Sequence, residues 1–517
     1  MKEIKINLKN DSLLDLCLNT IDLNKQVLVF CSSKKSAESV AEKISKIISK
    51  VGSSEHIKLA NQIENILQSP TKQCKKLSSC VEKGIAFHHA GLTSKQRELI
   101  EDNFRTGTIK VICSTPTLAA GIDLPAFRAI IKDMKRFNSR GMMPIQVLEY
   151  LQMAGRAGRP GKEDYGEAII LGKEIEDVKY YFKNYVNGKV EEIYSKLAVE
   201  PVLRMYVLSL ISSEKIRTLK DLYAFFDSTF YAFQFGDIEV LHSKLNLMIE
   251  KLKNWKMLEG KVNSDFVTAD KFEKSKEDLT ATLLGKRISE IYIDPLTAII
   301  LIKNFNKIKN FEHIVHLLSC CLEIRPLIKV KASEYDAIIE ESLKHELILD
   351  EEEFNKISTE NYEDTLKTTF FLLDWANEKS EDYLMEKYNV RPGEITAKLQ
   401  IVDWLLFACS ELARIEKQHN LINLFNKARI QLKEGVKEEL LPLLQFKGIG
   451  RIRARKLFDF GIKNISDVTA IEIEKLVELI GVKLAISLKE QVGIKIELNP
   501  EEPIKSSQIS LDEFIKY

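Results

Sequence analysis

The most informative stretch of the chain is IKVICSTPTLAAGIDLP, residues 109–125. Its first five residues have the pattern of a buried strand, and the Ser, Thr and Pro that follow end the strand in a turn. Similar short apolar runs stand at residues 26–31 (QVLVFC), 84–88 (GIAFH), 126–130 (AFRAI) and 167–171 (EAIIL), with helical patterns between several of them. Strands that alternate with helices predict an α/β domain with a parallel sheet in residues 1–172.

From residue 173 onward the patterns are almost entirely helical, and they divide into four parts. Residues 173–280 contain three or four helices and a hairpin signal at 261–268, which indicates a winged helix. Residues 281–435 predict a helical bundle, residues 436–500 a small separate helical unit, and residues 501–517 a flexible tail. A chain of 517 residues is too long for a single hydrophobic core.

Composition excludes some classes of site. The net charge of +1 conceals local basic stretches, so a nucleic-acid partner stays open. None of the eight cysteines forms a CxxC pair, so we expect no metal site and mostly buried, free thiols. The longest apolar runs fall well short of the roughly 18 residues of a membrane helix, and the N-terminus carries no apolar signal core. We therefore expect a soluble, cytoplasmic protein with no membrane partner.

The strongest chemical signal is QMAGRAGRPG, residues 152–161. Arg156 and Arg159 stand three positions apart, separated by small residues, so both can approach a polyphosphate closely. Planar guanidinium groups stabilise charge on a phosphoryl group during its transfer. The alternative, a basic surface turn, is disfavoured because other motifs accompany this one.

Those motifs follow predicted strands. Thr115 and Thr117 stand after the strand at 109–113, and His89 and Ser32 follow the strands at 84–88 and 26–31. Ligands bind at the carboxyl edge of an open α/β sheet, so hydroxyls and backbone amides there can meet a phosphate chain. A lone His pair would usually be structural.

In combination these segments resemble motifs IV, IVa, V and VI of superfamily 2 helicases. LGKRISEIYIDP, residues 284–295, resembles the junction after the winged helix in the HelQ-like, Ski-type archaeal DNA helicases. The resemblance spans nearly the whole chain and implies that residues 1–172 are a second RecA-like domain. It implies arginine fingers at Arg156 and Arg159 and DNA contacts at Ser32, Thr115, Thr117 and His89. It further implies that Gln152, Gly121 and Asp123 bind nucleotide, and that Gln152 and Asp123 couple the nucleotide state to domain closure.

The same family carries a duplex-splitting β-hairpin between motifs V and VI. Here IIKDMKRFNSRGMMPI, residues 130–145, has two candidate arms around an Asn/Gly turn. Lys135, Arg136 and Arg140 suit phosphates. A plain surface hairpin is the alternative.

In the bundle, a helix over residues 395–412 places Trp404 opposite its apolar stripe. The family's ratchet helix uses an aromatic side chain here to stack on a base of the translocating strand. Trp404 could instead fill a second packing interface. The family's arginine seven residues earlier is Ala397 in this chain, with Lys398 as a candidate substitute.

FKGIGRIRARK, residues 446–456, resembles a helix–hairpin–helix clamp, and residues 480–483 resemble a degenerate second copy. A Gly-x-Gly turn that opens a helix points backbone amides at a phosphate. The predicted DNA contacts are Lys447, Gly448, Gly450, Arg451, Arg453 and Arg455.

The tail carries QISLDEFI, residues 508–515, which resembles the box that binds the PCNA sliding clamp. One helical turn would present Leu511, Phe514 and Ile515 together, with Gln508 before them. The match is short, so chance is the alternative.

The chain contains no GxxxxGK[ST] and no DExH box, which together cradle phosphates and hold Mg²⁺. We therefore expect the C-terminal half of an ATP- and Mg²⁺-dependent 3′–5′ DNA helicase, a fragment or the product of a split gene. A P-loop-bearing chain would complete the ATP site, and single-stranded and forked DNA would be the substrate, in archaeal fork repair and recombination at the nucleoid. The alternatives are a non-catalytic, clamp-recruited DNA-binding adaptor and, less favoured, an RNA helicase.

Overall fold

The computed structural model describes residues 11–48, 52–67, 69–121, 123–138, 141–159, 161, 163–261 and 278–494. Its first part is a five-stranded parallel sheet in the order β2-β3-β1-β4-β7. The strands are β1 (Val27–Phe30), β2 (Ile85–His88), β3 (Val111–Ser114), β4 (Arg128–Ile131) and β7 (Glu167–Ile170). The five predicted strands and their parallel pairing are thus confirmed, with ends shifted by one or two residues.

The helices of this part cover the sheet. They are α1 (Ser12–Asp22), α2 (Lys34–Ile47), α3 (Ser54–Glu64), α4 (Lys72–Val81), α5 (Ser94–Thr106), α6 (Thr117–Gly121), α7 (Val147–Ala154) and α8 (Ile175–Tyr181). Strands β1 to β4 are buried at every position, whereas the edge strand β7 is partly open. Strands enclosed on both faces explain why their sequences are continuous apolar runs without alternation.

A β-hairpin leaves the sheet after β4, as predicted. Strand β5 (Lys135–Asn138) pairs antiparallel with β6 (Gly141–Pro144), and Phe137 stands opposite Met142. Phe137 is 78% exposed and Met142 60% exposed, so the hairpin presents apolar side chains to its surroundings.

The second part begins after a π-helical turn at Phe182–Val186. Its helices are α9 (Glu200–Ser212), α10 (Leu219–Asp227), α11 (Phe230–Phe235) and α12 (Ile238–Asn254), followed by the antiparallel pair β8 (Leu258–Lys261) and β9 (Asp278–Ala281). The predicted second arm at residues 266–268 lies outside the described residues, and the observed partner of β8 stands further along the chain.

The bundle has nine helices among the described residues. They are α13 (Leu283–Ile291), α14 (Pro295–Asn304), α15 (Phe311–Ser319), α16 (Tyr335–Ser342), α17 (Glu351–Asn355), α18 (Tyr362–Ala376), α19 (Glu381–Tyr388), α20 (Pro392–Ile415) and α21 (His419–Glu434). One apolar core runs without interruption from Leu203 to Leu432. The four-helix part and the bundle are therefore packed as one body around shared apolar side chains.

The last part is small and has a core of its own, from Val436 to Leu488. Its helices are α22 (Leu441–Leu444), α23 (Arg451–Asp459), α24 (Ile465–Ala470), α25 (Ile473–Ile480) and α26 (Val482–Gln491). This separate core agrees with the predicted separate helical unit.

All eight cysteines lie in described parts of the chain, and all are buried and free, as predicted. Burial raises the pKa of the Cys17, Cys31 and Cys80 thiols, to about 12, 12 and 11. Among the described helices, none combines the length and the apolar character needed to cross a membrane.

Candidate functional site

The arginine motif packs against the segment that follows β3. The Ala126 amide donates to the Arg156 carbonyl (2.9 Å), and the Gly158 amide donates to the Ala126 carbonyl (2.7 Å). Arg156 uses Nε and Nη2 on the Ala119 carbonyl and Nη1 on Asp123, 3.3 Å away. The two motifs predicted to share a nucleotide are therefore in direct contact.

Arg159 makes fewer hydrogen bonds than Arg156 among the described residues. Its Nε donates to the Pro125 carbonyl at 2.9 Å, and its guanidinium lies 5.7 Å from the centre of the Phe104 ring. Within the described residues its two terminal nitrogens make no hydrogen bond. Burial lowers the pKa of Arg159, but arginine stays charged in proteins. Arg159 thus offers a charged, largely uncommitted guanidinium.

Gly158 and Gly166 explain why this loop is glycine-rich. Gly158 has φ +94°, a conformation that favours glycine. A Cβ on Gly166 would lie 2.1 Å from the Gly158 nitrogen, so the two backbone segments touch. This close approach holds the arginine loop against the chain that leads into β7.

The three residues predicted to bind nucleotide, Gln152, Gly121 and Asp123, are all exposed. The Asp123 side chain is 93% exposed apart from its contact with Arg156. A Cβ on Gly121 would meet no atom within 4 Å. The geometry leaves them open to a ligand.

Three of the four residues predicted at the strand ends, Ser32, Thr115 and Thr117, meet in one cleft of about 550 Å³. It is lined by Ser32, Thr115, Thr117 and Arg136 together with Ser33, Lys34, Lys35, Ala90, Pro116, Asn389, Arg391 and Glu394. The Thr115 and Thr117 hydroxyls are 2.9 Å apart. Hydroxyls and basic side chains in one open groove suit a phosphodiester backbone.

Ser32 is oriented by an acidic residue. Its amide and its hydroxyl both donate to Asp133 Oδ2 at 2.9 Å. Burial opposes ionisation of Asp133, but hydrogen bonds from Ser32 and Lys132 hold its pKa below the usual range. Asp133 therefore remains a charged acceptor that fixes the loop after β1.

His89 does not line the cleft, which corrects the prediction that it contacts DNA. Its side chain is wholly buried, stacked 5.5 Å from the Phe87 ring, and its Nδ1 accepts the Gly91 amide. Its Nε2 lies 3.3 Å from Glu38 Oε1. With no exposed surface, His89 positions the backbone beside the cleft.

A junction of hydrogen bonds and ion pairs joins the sheet domain to the start of α20. The Gly393 amide donates to the Gly91 carbonyl at 3.0 Å, and Arg391 Nε lies 3.3 Å from Glu38. Lys34 pairs with Glu394. Burial opposes the ionisation of Glu38, but the hydrogen bond with His89 and the charge of Arg391 keep its pKa below the usual range. These contacts fix the N-terminal end of α20 to the edge of the sheet.

The hairpin prediction is met in part. Arg136 lines the cleft and pairs with Glu149 at 3.0 Å, and Lys135 begins β5. Arg140 lies outside the described residues. Phe137 of β5, which no motif singled out, is the most exposed of the large apolar side chains described on the two strands.

Trp404 lies on α20. The apolar stripe of this helix packs in the core, as predicted. The Trp404 ring is partly buried against the shared core, and its indole N–H donates to the Ile291 carbonyl at 2.8 Å. The packing role, which was the alternative, is therefore present. Lys398 donates to the Ile324 and Pro326 carbonyls, and burial lowers its pKa to about 8, so its ammonium group is already bound to two backbone oxygens.

In the small terminal unit, the turn forms as predicted but two arginines do not point outward. Gly448 has φ +86° and Gly450 caps α23. Arg451 donates to the Lys379 carbonyl and lies 4.7 Å from the Trp375 ring centre. Arg455 donates to Glu378 and Glu439, which raises its pKa.

This corrects the prediction for Arg451 and Arg455: both dock the terminal unit onto the bundle. Arg453 donates to the Gly448 carbonyl at 2.9 Å and braces the turn. Lys447 is exposed, and its amide donates to Gln491. The remaining candidates for a phosphate are Lys447, Arg453 and the backbone at Gly448 and Gly450.

The residues predicted to bind the sliding clamp, Gln508, Leu511, Phe514 and Ile515, lie outside the described residues. Across the part that is described, no group of three or more His, Cys, Asp or Glu side chains could hold a metal.

The sequence analysis did not identify four charged residues that line the cleft, Lys34, Lys35, Arg391 and Glu394, or Asp133, which holds Ser32. The lysine pair directly after the Ser-Ser turn was a usable signal, because it opens a helix at a strand end. Arg391 and Glu394 come from a distant part of the chain, so no local pattern indicated them.

Comparison with known proteins agrees with this geometry. The family model of the helicase conserved C-terminal domain matches residues 8–161, and that of archaeal helicase domain 4 matches residues 312–435. The chain is 36% identical to the ATP-dependent DNA helicase Hel308 of Methanococcus vannielii, over 95% of this chain and 68% of the relative. Hel308 of Methanocella arvoryzae is 35% identical, over 97% of this chain and 67% of the relative. Hel308 of Pyrococcus horikoshii is 33% identical, over 94% of this chain and 66% of the relative.

Proposed function

Since the chain belongs to the Hel308 family of ATP-dependent DNA helicases, we propose that it is the C-terminal part of a 3′–5′ DNA helicase of fork repair and recombination. In this proposal it supplies arginine fingers to an ATP site completed by a P-loop-bearing first RecA-like domain. ATP and Mg²⁺ would be held mainly by that other domain. A PCNA contact through residues 508–515 is part of the same proposal.

The observation that carries the proposal is the set of hydrogen bonds that Arg156 and Arg159 make. Arg156 is anchored by Ala119 and Asp123, while the terminal nitrogens of Arg159 make no hydrogen bond to any residue that the structure describes. Preorganised guanidinium groups stabilise the charge of a transferring phosphoryl group without further reorganisation. An adaptor that only bound DNA would have no use for them.

The cleft of Ser32, Thr115, Thr117 and Arg136 supports a DNA backbone path between the sheet domain and α20. The exposed Phe137 of the hairpin suits a wedge against the last base pair, since an apolar ring can replace the stacking that a separated pair loses. We propose residues 173–280 as the winged helix and residues 436–500 as a helix–hairpin–helix unit.

The test is ATP hydrolysis by this chain mixed with a chain that carries the first RecA-like domain, with and without single-stranded DNA. We expect DNA-stimulated hydrolysis only in the mixture, and a fall of about a thousandfold in kcat for Arg159→Ala. Arg105→Ala is the matched control, because Arg105 is an exposed arginine on α5 that pairs with Asp102. No gain in the mixture, or full activity in Arg159→Ala, would refute the proposal and favour the adaptor.

A further inference from the structure

Helix α7 leads directly into the arginine motif, and its first turn has no cap of its own. A helix leaves its first backbone amides without partners inside the helix. Gln146, at the N-cap position, makes no side-chain hydrogen bond to them. Glu191 supplies the acceptors instead, from 44 positions after Val147: its carboxylate accepts the Val147 amide at 2.6 Å and the Leu148 amide at 3.1 Å. The start of α7 therefore depends on a residue beyond the sheet.

A carboxylate suits this position electrostatically. The N-terminal end of a helix carries partial positive charge, and hydrogen bonds to an ionised acceptor are shorter and stronger than those between neutral groups. Desolvation opposes the ionisation of Glu191, but the hydrogen bonds from backbone amides, those of Val147 and Leu148 among them, hold its pKa below the usual range. Glu191 is therefore charged at neutral pH and holds the first turn of α7.

The residues before Glu191 pack on the same end of α7. Tyr185 is buried, and its hydroxyl donates to the Ile145 carbonyl at 2.9 Å. Its ring meets the Tyr150 ring of α7 edge-on, with 5.8 Å between the ring centres. A Cβ on Gly188 would lie 3.2 Å from Val147 Cγ2, so the backbone passes close to the helix. We call residues 182–196, which follow this path, the strap.

The far end of the strap is fixed to the four-helix part. Gln234 of α11 uses both ends of its amide: Oε1 accepts the Ser195 amide at 2.9 Å, and Nε2 donates to the Ile193 carbonyl at 2.7 Å. The Tyr194 ring lies 6.5 Å from the Phe235 ring of the same helix. Because α11 shares the apolar core that continues into the bundle, the strap ties α7 to that whole body.

At its other end, α7 passes into the arginine loop without a break. The Gly155 amide donates to the Leu151 carbonyl at 2.8 Å. The Arg156 amide donates to the Met153 carbonyl at 3.2 Å. A shift of α7 therefore carries Gln152 and the arginine loop with it. A misplacement of about 1 Å at a reacting group can cost on the order of a hundredfold in rate.

We propose that the strap sets the position of the arginine motif relative to the four-helix part and the bundle, and that Glu191 is the positioning residue at its α7 end. The inference rests on the proposed function, since it assigns a role in the composite ATP site. A displacement of the four-helix part when DNA binds is passed through Gln234 and the strap to α7, and so to Arg159. Glu191 acts through the arginine motif and contacts neither nucleotide nor DNA.

The first test is the kcat of DNA-stimulated ATP hydrolysis in the mixture with the P-loop-bearing chain. Glu191→Ala removes both acceptors, and we expect kcat to fall roughly two- to thirtyfold. The KM for ATP should not change, because the other domain holds most of the nucleotide. Glu191→Gln keeps an acceptor oxygen and should recover part of the loss. Glu192→Ala is the matched control, because Glu192 is an exposed carboxylate of the same strap that accepts the Tyr194 hydroxyl at 2.8 Å.

A double-mutant cycle separates positioning from general weakening of the fold. If Glu191 acts through the arginine motif, adding Glu191→Ala to Arg159→Ala should have little further effect on the residual kcat. A loss by the same factor in both backgrounds would overturn the positioning role.

Hydrogen exchange of the chain alone, followed by mass spectrometry, tests the strap without ATP. We expect faster exchange at residues 147–158 in Glu191→Ala and in Gln234→Ala, and wild-type exchange in Glu192→Ala. Wild-type exchange in all three variants would overturn the inference while leaving the proposed function intact. If the wild-type mixture does not hydrolyse ATP, the proposed function fails, and the exchange rates still decide whether the strap holds α7.

Discussion

Arg156 and Arg159 differ in how much of each guanidinium is left for a ligand. All three guanidinium nitrogens of Arg156 donate to Ala119 or Asp123, whereas among the described residues Arg159 donates through Nε alone. A ligand that approached Arg156 would have to compete with a backbone carbonyl. We therefore expect Arg159 to make the first contact with a nucleotide and Arg156 to hold the loop that presents it.

His316 makes the bundle sensitive to acid. It is fully buried and its Nδ1 accepts the Ile348 amide at 3.1 Å. Burial, aided by the charge of His313, lowers its pKa from 6.5 to about 3. Between these pH values the unfolded chain holds a proton that the folded chain lacks, so stability falls as the pH drops through this window.

The slope attributable to His316 approaches about 1.4 kcal/mol per pH unit below pH 6. His316→Asn keeps an acceptor for the Ile348 amide but does not titrate, so we expect its urea midpoint to fall less between pH 6.5 and pH 4.5. His345→Asn is the control, because His345 is partly exposed beside Glu312. If the urea midpoint of His316→Asn fell with pH as steeply as that of the wild type, His316 would not be the group responsible for the acid sensitivity.

The junction between the sheet and α20 depends on Gly393, at which two backbone segments touch. A Cβ on Gly393 would lie 2.3 Å from the Leu92 carbonyl oxygen and 2.4 Å from that of Ala90. These are backbone atoms and cannot rotate away, so one segment must move.

For Gly393→Ala we expect a destabilisation of about 1–3 kcal/mol, typical of overpacking, and faster hydrogen exchange at the start of α20. Hydrogen exchange at the start of α20 is measured by mass spectrometry. Gly121→Ala is the control, because a Cβ there meets nothing within 4 Å, and it should leave exchange in α20 unchanged. Wild-type exchange in Gly393→Ala would show that the junction is looser than its distances indicate.

At the scale of the whole molecule, the terminal unit has its own core and is held to the bundle by polar contacts at Arg451 and Arg455. Glu378 accepts two bonds from Arg455 and one from the Lys437 amide. Burial opposes the ionisation of Glu378, but these hydrogen bonds hold its pKa below the usual range. Glu378 and Arg455 are therefore both charged at neutral pH.

Glu378→Gln removes the charge from this contact, and hydrogen bonds to charged groups are worth about 1.5–3 kcal/mol. We expect limited proteolysis between the bundle and the terminal unit to become about tenfold faster. Glu472→Gln, which disturbs an exposed pair with Lys475 inside the terminal unit, should not change the rate. Equal cleavage of both variants would mean that other contacts hold the unit.

Much of this architecture was accessible from local patterns. A strand enclosed on both faces is a short apolar run, and an amphipathic helix repeats its apolar residues every three or four positions, so the sheet strands and α20 were predictable. The arginine motif and the residues after the strand ends were predictable for a similar reason, because parallel strands bring their carboxyl ends to one edge.

Contacts between distant parts of the chain were not accessible in this way. Arg391 meets Glu38 across 353 positions and Arg455 meets Glu378 across 77, and no period or motif links such partners. Basic side chains look alike in a sequence whether they face DNA or a carboxylate, so the roles of Arg451 and Arg455 depended on which acceptor packing brought near. The burial of His89 likewise follows from the packing of whole helices, which local residue patterns do not encode.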